Sequence, residues 1–593
     1  MAVDQSPMNK LITEHIDIWT SAVKTRSTSG RGSSKKLELY GVKKLRELIL
    51  ELAVRGKLVP QDPSDEPASV LLERIAEEKK RLVKDKLIPR TKGLPPINED
   101  EIPIDLPNGW TVVRLGELTS KLGSGSTPRG GKNAYTSEGI PFLRSQNVRN
   151  EGIKLDDIAY ISEEIHQKME NTKVLPGDVL LNITGASLGR STIFPSNLVE
   201  ANVSQHVTII RLIESQMNQF IHLGILSPLV QQLVWGRQVG MAIEGLSKKV
   251  LEMFEFPIPP IAEQHRIVAK VDELMALCDQ LEQQTEASIE AHQVLVTTLL
   301  DTLTNSADAD ELMQNWARIS EHFDTLFTTE ESIDQLKQTI LQLAVMGKLV
   351  PQDPSDEPAA ELLKRIAEEK AQLVKEKKTK KQKALPPITE DEKPFELPNG
   401  WEWERIGTFG VVGTGATPSR SNPKYWDDPK YNWVSSGETS ELFVSTTKEK
   451  VSELAIQETN VSIYPSGTLI VAMYGQGKTR GQITELTEPA GTNQACAAIQ
   501  LIEKNESHKD FVKLYFRKSY EELRSNAAGG AQPNLNVGKV QSTVIAVPPL
   551  NEQQRINTKV NELLTVCDHL KAHFEAVQNT QLHLTDAIVE QAV

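Results

Sequence analysis

Apolar residues recur along this chain in helical and strand-like patterns that alternate twice. Leu45, Leu48, Ile49 and Leu52 fall three and four residues apart, and after a proline-rich break Leu71, Ile75 and Leu82 form a second such run. The spacing predicts two amphipathic helices, the second opened by the proline and acidic residues of "PSDEP". Further on, Ile267, Val271, Leu274, Cys278 and Leu281 step by 4, 3, 4, 3, and Ile556, Val560, Leu563, Cys567 and Leu570 do the same. This is a heptad seam, so each of these helices requires a helical partner. Between the helical stretches, short apolar runs such as "GTLIVA" (467–472) end in glycine-rich turns and read as strands followed by loops.

The pattern alternates twice because the chain is duplicated. "LAVRGKLVPQDPSDEPASVLLERIAEEKKRLVKDK" (52–86) returns as "LAVMGKLVPQDPSDEPAAELLKRIAEEKAQLVKEK" (343–377), with 28 of 35 positions identical and an offset of 291. The offset persists through "LPPI" (Leu94, Leu385) and "LPNGW" (Leu106, Leu397). Beyond the tryptophans the copies diverge but keep landmarks in order. "GSGSTP" (123–128) answers "GTGATP" (413–418), "NITGASLGR" (182–190) answers "VAMYGQGKTR" (471–480), and "IPPIAEQHRI" (258–267) answers "VPPLNEQQRI" (547–556).

The predicted organisation is an N-terminal segment (1–43), a helical repeat (44–105), a variable domain (106–258), a central helical spacer containing the second repeat (259–396), a second variable domain (397–547) and a C-terminal helix (548–593). The fold class is mixed α+β: two similar α/β domains separated by long antiparallel coiled-coil regions in a pseudo-twofold circular arrangement. In that ring the C-terminal helix pairs with the N-terminal helices, as the helix from Ala262 pairs with those around Leu343. A continuous helix from Ala262 to Leu303 spans roughly 60 Å at ~1.5 Å per residue. "TNSADAD" (304–310) reads as a turn or short linker.

At 593 residues the chain has room for three or four domains. It shows no charged-then-apolar leader and no apolar run near the ~18 residues that cross a bilayer, so a soluble, cytoplasmic protein without membrane partners is expected. Three scattered cysteines fit a reducing compartment. The net charge of -14 argues against nucleic acid only until it is divided by region. From Thr111 to Glu255 there are 14 basic and 14 acidic residues, and from Glu402 to Val547 there are 15 and 16. The acidity sits in the connector, where Ala262 to Glu330 holds 3 basic against 14 acidic residues.

"AMYGQGKT" (472–479) satisfies the relaxed form of a phosphate-cradling loop and raises the prospect of a DNA-stimulated NTPase. Its counterpart "TGASLGR" lacks the Lys-Thr pair while keeping Gly185 opposite Gly475 and Arg190 opposite Arg480. The shared feature is a strand, a glycine turn and an arginine, which suits a basic loop approaching DNA or an ordinary turn better than a nucleotide site. "NPKY" (422–425) lacks the second proline of an amino-methyltransferase motif, and Cys567, His569 and His573 face Cys278, Gln280 and Gln284 in the other copy, which disfavours a metal site.

The variable domains do carry base-reading side chains in their loops, since Arg suits guanine and Asn or Gln suits adenine. The candidates in the first are Thr127, Arg129, Lys132, Arg144, Gln146, Asn147, Arg190, Gln205 and His206. In the second they are Thr417, Arg420, Lys424, Lys478, Arg480, Asn493 and Gln494. No catalytic constellation stands out. A DNA-binding module with two specificities, a DNA-stimulated NTPase and a coiled-coil adaptor without DNA remain the competing classes.

The paired "LPNGW...GxGxTP" openings, the "PPxxEQxRI" closings and the duplicated helices together resemble the specificity subunit of type I restriction-modification enzymes over essentially the whole chain. They look most like the subgroup with a long repeat before the first target-recognition domain. The resemblance implies that each such domain reads one half of a bipartite double-stranded DNA site while the helices set the gap and dock two modification subunits. Those partners would carry S-adenosylmethionine, and restriction subunits would bring ATP and Mg²⁺. This chain would itself bind no cofactor or metal and have no catalytic residues.

Overall fold

The computed structural model describes residues 7–27, 35–90, 92–102, 104–238, 245–307, 309–379, 382, 384–474, 479–525 and 535–593. It divides into two compact units, one formed by Met1–Ser29, Ser34–Ala287 and Gln578–Val593, the other by Gly30–Ser33 and Ser288–Val577.

In the first unit the repeat forms helices Tyr40–Val54 and Ala68–Lys84. Leu45, Leu48, Ile49, Leu52, Leu71 and Ile75 are buried, as their spacing requires. The second unit repeats the pair as Glu330–Val345 and Ala359–Lys375, burying Leu336, Ile340, Leu343, Leu362 and Ile366. Two long helices, Ile261–Thr304 and Leu550–Ala592, carry the heptad seams. Ile267, Val271, Leu274, Cys278 and Leu281 are buried along one, and Ile556, Val560 and Cys567 along the other, with Leu563 and Leu570 partly buried against the same core. Helix Ile261–Thr304 stops at the "TNSADAD" stretch, and a new helix opens at Ala309.

The expected pairing needs one correction. The C-terminal end does join the N-terminal helices, with the Tyr40 hydroxyl donating to Asp586 at 2.7 Å. Likewise Val296, Leu300 and Leu303 share a core with Leu336 and Ile340. However, the opening half of each long helix packs on the repeat of its own half: Arg46 donates to Asp279 and Glu282 at 2.6 and 2.7 Å, and Lys337 donates to Asp568 at 2.7 Å. The reason is length. Helices of 44 and 43 residues outrun partners of 15 and 16, so each has seam enough for two.

Each variable domain is built on two small sheets. In the first, strands Ser191–Ile193, Val179–Asn182, Val207–Leu212 and Thr119–Ser124 lie antiparallel in that order, and Ala159–Ile161, Ile140–Leu143, Ala201–Val203 and Lys173–Val174 form the other, with Ile140–Leu143 parallel to Ala201–Val203. In the second, the order is Gly410–Thr414, Cys496–Leu501, Leu469–Ala472, Ile483–Leu486 and Phe443–Val444, beside Glu449–Val451, Tyr431–Val434 and Ala490–Thr492. A two-stranded ribbon closes each domain at its neck, pairing Thr111–Arg114 with Glu255–Ile258 and Glu402–Arg405 with Val544–Val547.

The N-terminal segment, which the pattern left undivided, holds helices Pro7–Glu14 and Ile16–Ser21 and the hairpin Lys24–Ser27 with Lys35–Glu38. Trp19 is fully buried against Gly41, where a Cβ would stand 2.3 Å from the Trp19 carbonyl oxygen.

Candidate nucleic-acid interface

The most repetitive motifs lock the scaffold together. Trp110 of "LPNGW" donates its indole N–H to Glu263 of "PPIAEQHRI" at 3.1 Å. Gln61 donates to the same carboxylate at 3.3 Å, and Arg266 pairs with Asp65 of "PSDEP" at 2.6 Å. The second copy repeats each contact: Trp401 to Glu552 at 3.0 Å, Gln352 to Glu552 at 3.2 Å, Arg555 to Asp356 at 2.6 Å. Burial pushes Glu263 and Glu552 above the ordinary carboxylate range, and the indole and amide donors offset part of that cost. At the neck, buried Arg114 is bonded to Glu255 at 2.5 Å and Glu101 at 2.9 Å, and Arg405 to Glu392 at 2.8 Å. The Arg405 guanidinium and the Thr389 backbone N–H hold Glu392 down to about 2.

In the first variable domain four loops meet at one end of the two sheets. Gly125 of "GSGSTP" runs so close to the strand Ala201–Val203 that a Cβ would stand 1.8 Å from the Val203 carbonyl oxygen. That approach carries Thr127 to Gln205, whose side-chain oxygen accepts from the Thr127 hydroxyl. Asn182, at the end of its strand, donates to the carbonyls of Ser145 and Val148 at 2.8 and 3.3 Å and so ties the "LRSQNV" loop to the "NITG" turn. Thr184 of that turn is hydrogen-bonded to His206 Nδ1 at 2.7 Å. Arg129, Gln146 and Gln205 are exposed, while Arg144, Arg190 and His206 are half-buried. Lys132 belongs to the turn Gly131–Ala134, and its side chain lies outside the described residues.

Asn147 has a different place. It is buried, its side-chain oxygen accepts from the Arg144 N–H at 3.0 Å, and its amide donates to the Lys154 carbonyl at 3.0 Å. Both polar ends are taken by backbone, so Asn147 shapes the loop that presents Arg144 and Gln146.

The second domain repeats the convergence with other side chains. A Cβ on Gly415 would stand 1.6 Å from the Thr492 carbonyl oxygen, and the Thr417 hydroxyl donates to Gln494. Asn493 uses its side-chain oxygen to accept from the Ala495 N–H at 3.0 Å, closing its own turn. Lys424 and Gln494 are exposed and Arg480 half-buried. Arg420 stacks over Trp426, 4.0 Å from the ring centroid, and binds Glu449 through both terminal nitrogens at 2.5 and 2.8 Å.

Comparison with known proteins agrees with this doubled geometry. The family model for the type I restriction modification DNA specificity domain matches residues 107–291 and again 398–575. The type I restriction enzyme EcoEI specificity subunit of Escherichia coli is 42% identical over 99% of this chain and 100% of its own length, and the EcoAI specificity subunit of the same organism is 40% identical over 99% and 100%. The chain belongs to the type I DNA specificity subunits. A solved structure concerned with complex assembly and conformational transition of the type I R-M system covers 82% of this chain and 98% of its own at 16% identity, with a TM-score of 0.49.

In this specificity subunit the nucleotide-binding reading of residues 472–479 fails on topology. A phosphate-cradling loop leads from a strand into a helix whose N-terminus faces the phosphates. Here strand Leu469–Ala472 turns back into the antiparallel strand Ile483–Leu486 with Val471 opposite Ile483, and no helix stands between the two strands among the described residues. Lys478 and its neighbours 475–477 lie outside the described residues. Cys567 faces the helical core while His569 and His573 are exposed, and burial pushes the Cys567 thiol up to about 11. In "NPKY", the Asn422 side chain accepts from the Lys424 N–H at 3.3 Å and makes a local turn. Among the described residues no helix is long and apolar enough to cross a membrane. Sequence reasoning missed Asp157, which bonds Arg144, and Trp426, Trp433 and Glu449, which surround Arg420. For the second domain the sequence signal is the pair of tryptophans following the "GTGATP" turn; Asp157 has none.

Proposed function

We propose that each variable domain of this specificity subunit reads one half of a bipartite double-stranded DNA target with the loops gathered at the end of its sheets. The observation that supports this most is the equivalent join of the first and last loops, Thr127 to Gln205 and Thr417 to Gln494, in domains that otherwise diverge. Arg129, Arg144, Gln146, Arg190 and Gln205 supply the contacts of the first domain, Arg420, Lys424, Arg480 and Gln494 those of the second. Asn147, His206 and Asn493 set loop shape. Lys132 and Lys478 belong to the same loops by sequence.

The helices set the distance between half-sites and seat two modification subunits, which bring S-adenosylmethionine. Restriction subunits bring ATP and Mg²⁺. The chain itself performs no catalysis and acts in the cytoplasm with its partners. The test is to replace 111–255 by the same segment of a relative with another specificity, assemble the complex and sequence the methylated positions. One half of the methylated motif changes and the other stays. A change in both halves would sink the modular reading.

A further inference from the structure

One candidate arginine in each domain stands against an acidic residue, Arg420 against Glu449 and Arg144 against Asp157. Arg420 forms a two-pronged bond to Glu449 while its guanidinium is stacked over Trp426 and stands 5.6 Å from the Trp433 centroid. The two indoles meet edge-on, with centroids 5.4 Å apart, so the arginine sits in a preformed cradle with its fork turned to Glu449. In the first domain Arg144 donates to the Asp157 carbonyl at 2.6 Å and lies 3.6 Å from its carboxylate, to which Gln146 also donates at 2.8 Å.

The two acids occupy related places. Glu449 opens the strand that flanks Tyr431–Val434, opposite Trp433. Asp157 stands two residues ahead of Ala159, which opens the strand flanking Ile140–Leu143, opposite Phe142. Asp157 has φ +57°, a left-handed conformation that is uncommon outside glycine, and its side chain is 83% exposed. An ordinary surface ion pair contributes little and has no reason to recur. Both acids lie at the strand that flanks the corresponding edge of each domain's second sheet, although the arginines come from different loops, Arg144 after strand Ile140–Leu143 and Arg420 after strand Gly410–Thr414.

We propose that Asp157 and Glu449 are acidic gates that withhold the recognition arginines from non-target DNA. The inference rests on the DNA-reading role proposed for these loops. A free arginine adds sequence-independent affinity by neutralising a phosphate and releasing a counterion. A gated arginine must first leave its carboxylate, and the uncovered carboxylate then faces the phosphates, which repel it. At the right base pair guanine accepts from the freed arginine, which offsets the broken ion pair, whereas a non-target site offers the arginine only phosphates. The gate therefore lowers non-target binding more than target binding.

The test uses the full chain assembled with its modification subunits and two duplexes, one carrying the motif located by methylation sequencing and one with that motif scrambled. Glu449→Gln keeps the shape of the side chain, and Asp157→Asn keeps a residue that tolerates positive φ, so both variants fold. On the scrambled duplex each variant should bind roughly two- to fivefold tighter and show a salt dependence steeper by up to about 0.9 in the log–log slope. On the motif duplex affinity should change less, so the ratio of the two falls. An unchanged slope and affinity on the scrambled duplex for either variant overturns the gate. Weaker binding to the motif duplex with altered methylation overturns it too, because the carboxylate would then be reading a base itself. Arg420→Ala separates the two levels of argument. If it changes neither affinity nor slope on either duplex, the DNA-reading role of the loop falls; if it weakens binding while Glu449→Gln is silent, only the gate falls.

Discussion

Gln146 and Asn147 are adjacent and chemically alike, yet one is exposed and the other buried with both polar ends bonded to backbone. Asn147→Ala should cost about 1–3 kcal/mol by removing the two hydrogen bonds through which a buried amide holds the loop backbone, whereas Gln146→Ala should stay within about 0.5 kcal/mol. Urea unfolding of the two variants checks this, and equal losses would show that Asn147 does not shape the loop. Arg190 and Arg480 hold matching places after the glycines of "NITGASLGR" and "VAMYGQGKTR" in the sequence, and loss of a two-pronged base contact should cost about 1–3 kcal/mol of discrimination at one base pair. Binding of Arg190→Ala and Arg480→Ala to matched and mismatched duplexes reads that loss; wild-type specificity in both removes them from the interface. At the neck, Glu392 is held down to about 2 by Arg405 and the Thr389 N–H. A depressed carboxylate contributes stability above its ordinary range and loses it as the pH falls toward 2. Glu392→Gln should therefore lie below wild type in stability near neutral pH and converge with it in acid. Thermal melts across that range decide it, and a constant gap would rule the linkage out.

At the level of elements, the proposed spacing role falls to helix Ile261–Thr304. Its 44 residues at ~1.5 Å each extend about 66 Å. Inserting four residues near Ser288 adds about one turn and nearly preserves the seam, so the gap between half-sites should lengthen while both half-sites stay the same. A single inserted residue rotates the C-terminal part of the helix by about 100° and takes Val296, Leu300 and Leu303 off their core, so that variant should fail to assemble. The methylated motif of the four-residue variant is the measurement. An active complex with an unaltered gap would assign the spacing to something other than this helix.

Over the whole molecule the duplication appears as two copies of one knot. Trp110 with Glu263 and Trp401 with Glu552 lie in different compact units and make the same bond at 3.1 and 3.0 Å. Trp110→Phe and Trp401→Phe each leave a buried carboxylate short of a donor, so each should cost about 1–3 kcal/mol. In the double variant the losses should add within about 0.5 kcal/mol, as they do for sites without shared partners. Denaturant titration of the two single variants and the double variant gives the answer; a large coupling would mean the units do not behave separately.

Helices, repeats and seams were legible because amphipathic spacing is a local property: Leu45, Ile267 and Ile556 announce a buried face within a few residues of themselves. The duplicated motifs also marked the places that matter to the scaffold, since near-identity at an offset of 291 requires no structure to see. What a side chain touches is not local. Nothing around Asn147 distinguishes it from Gln146, because its partner Lys154 arrives only when the loop closes. Nothing around "GQGKT" excludes a nucleotide, because the strand beyond it is recognised only once it pairs back at Ile483. Nothing around Arg420 predicts Glu449, which lies 29 residues away and meets it across a sheet edge. The sequence by itself determined the two-part architecture, its helices and the loops that hold the candidate contacts. Only the tertiary structure decided which of those side chains are exposed, which are spent on shaping loops and which are held by an acid, because burial and pairing between distant residues exist only in the folded chain.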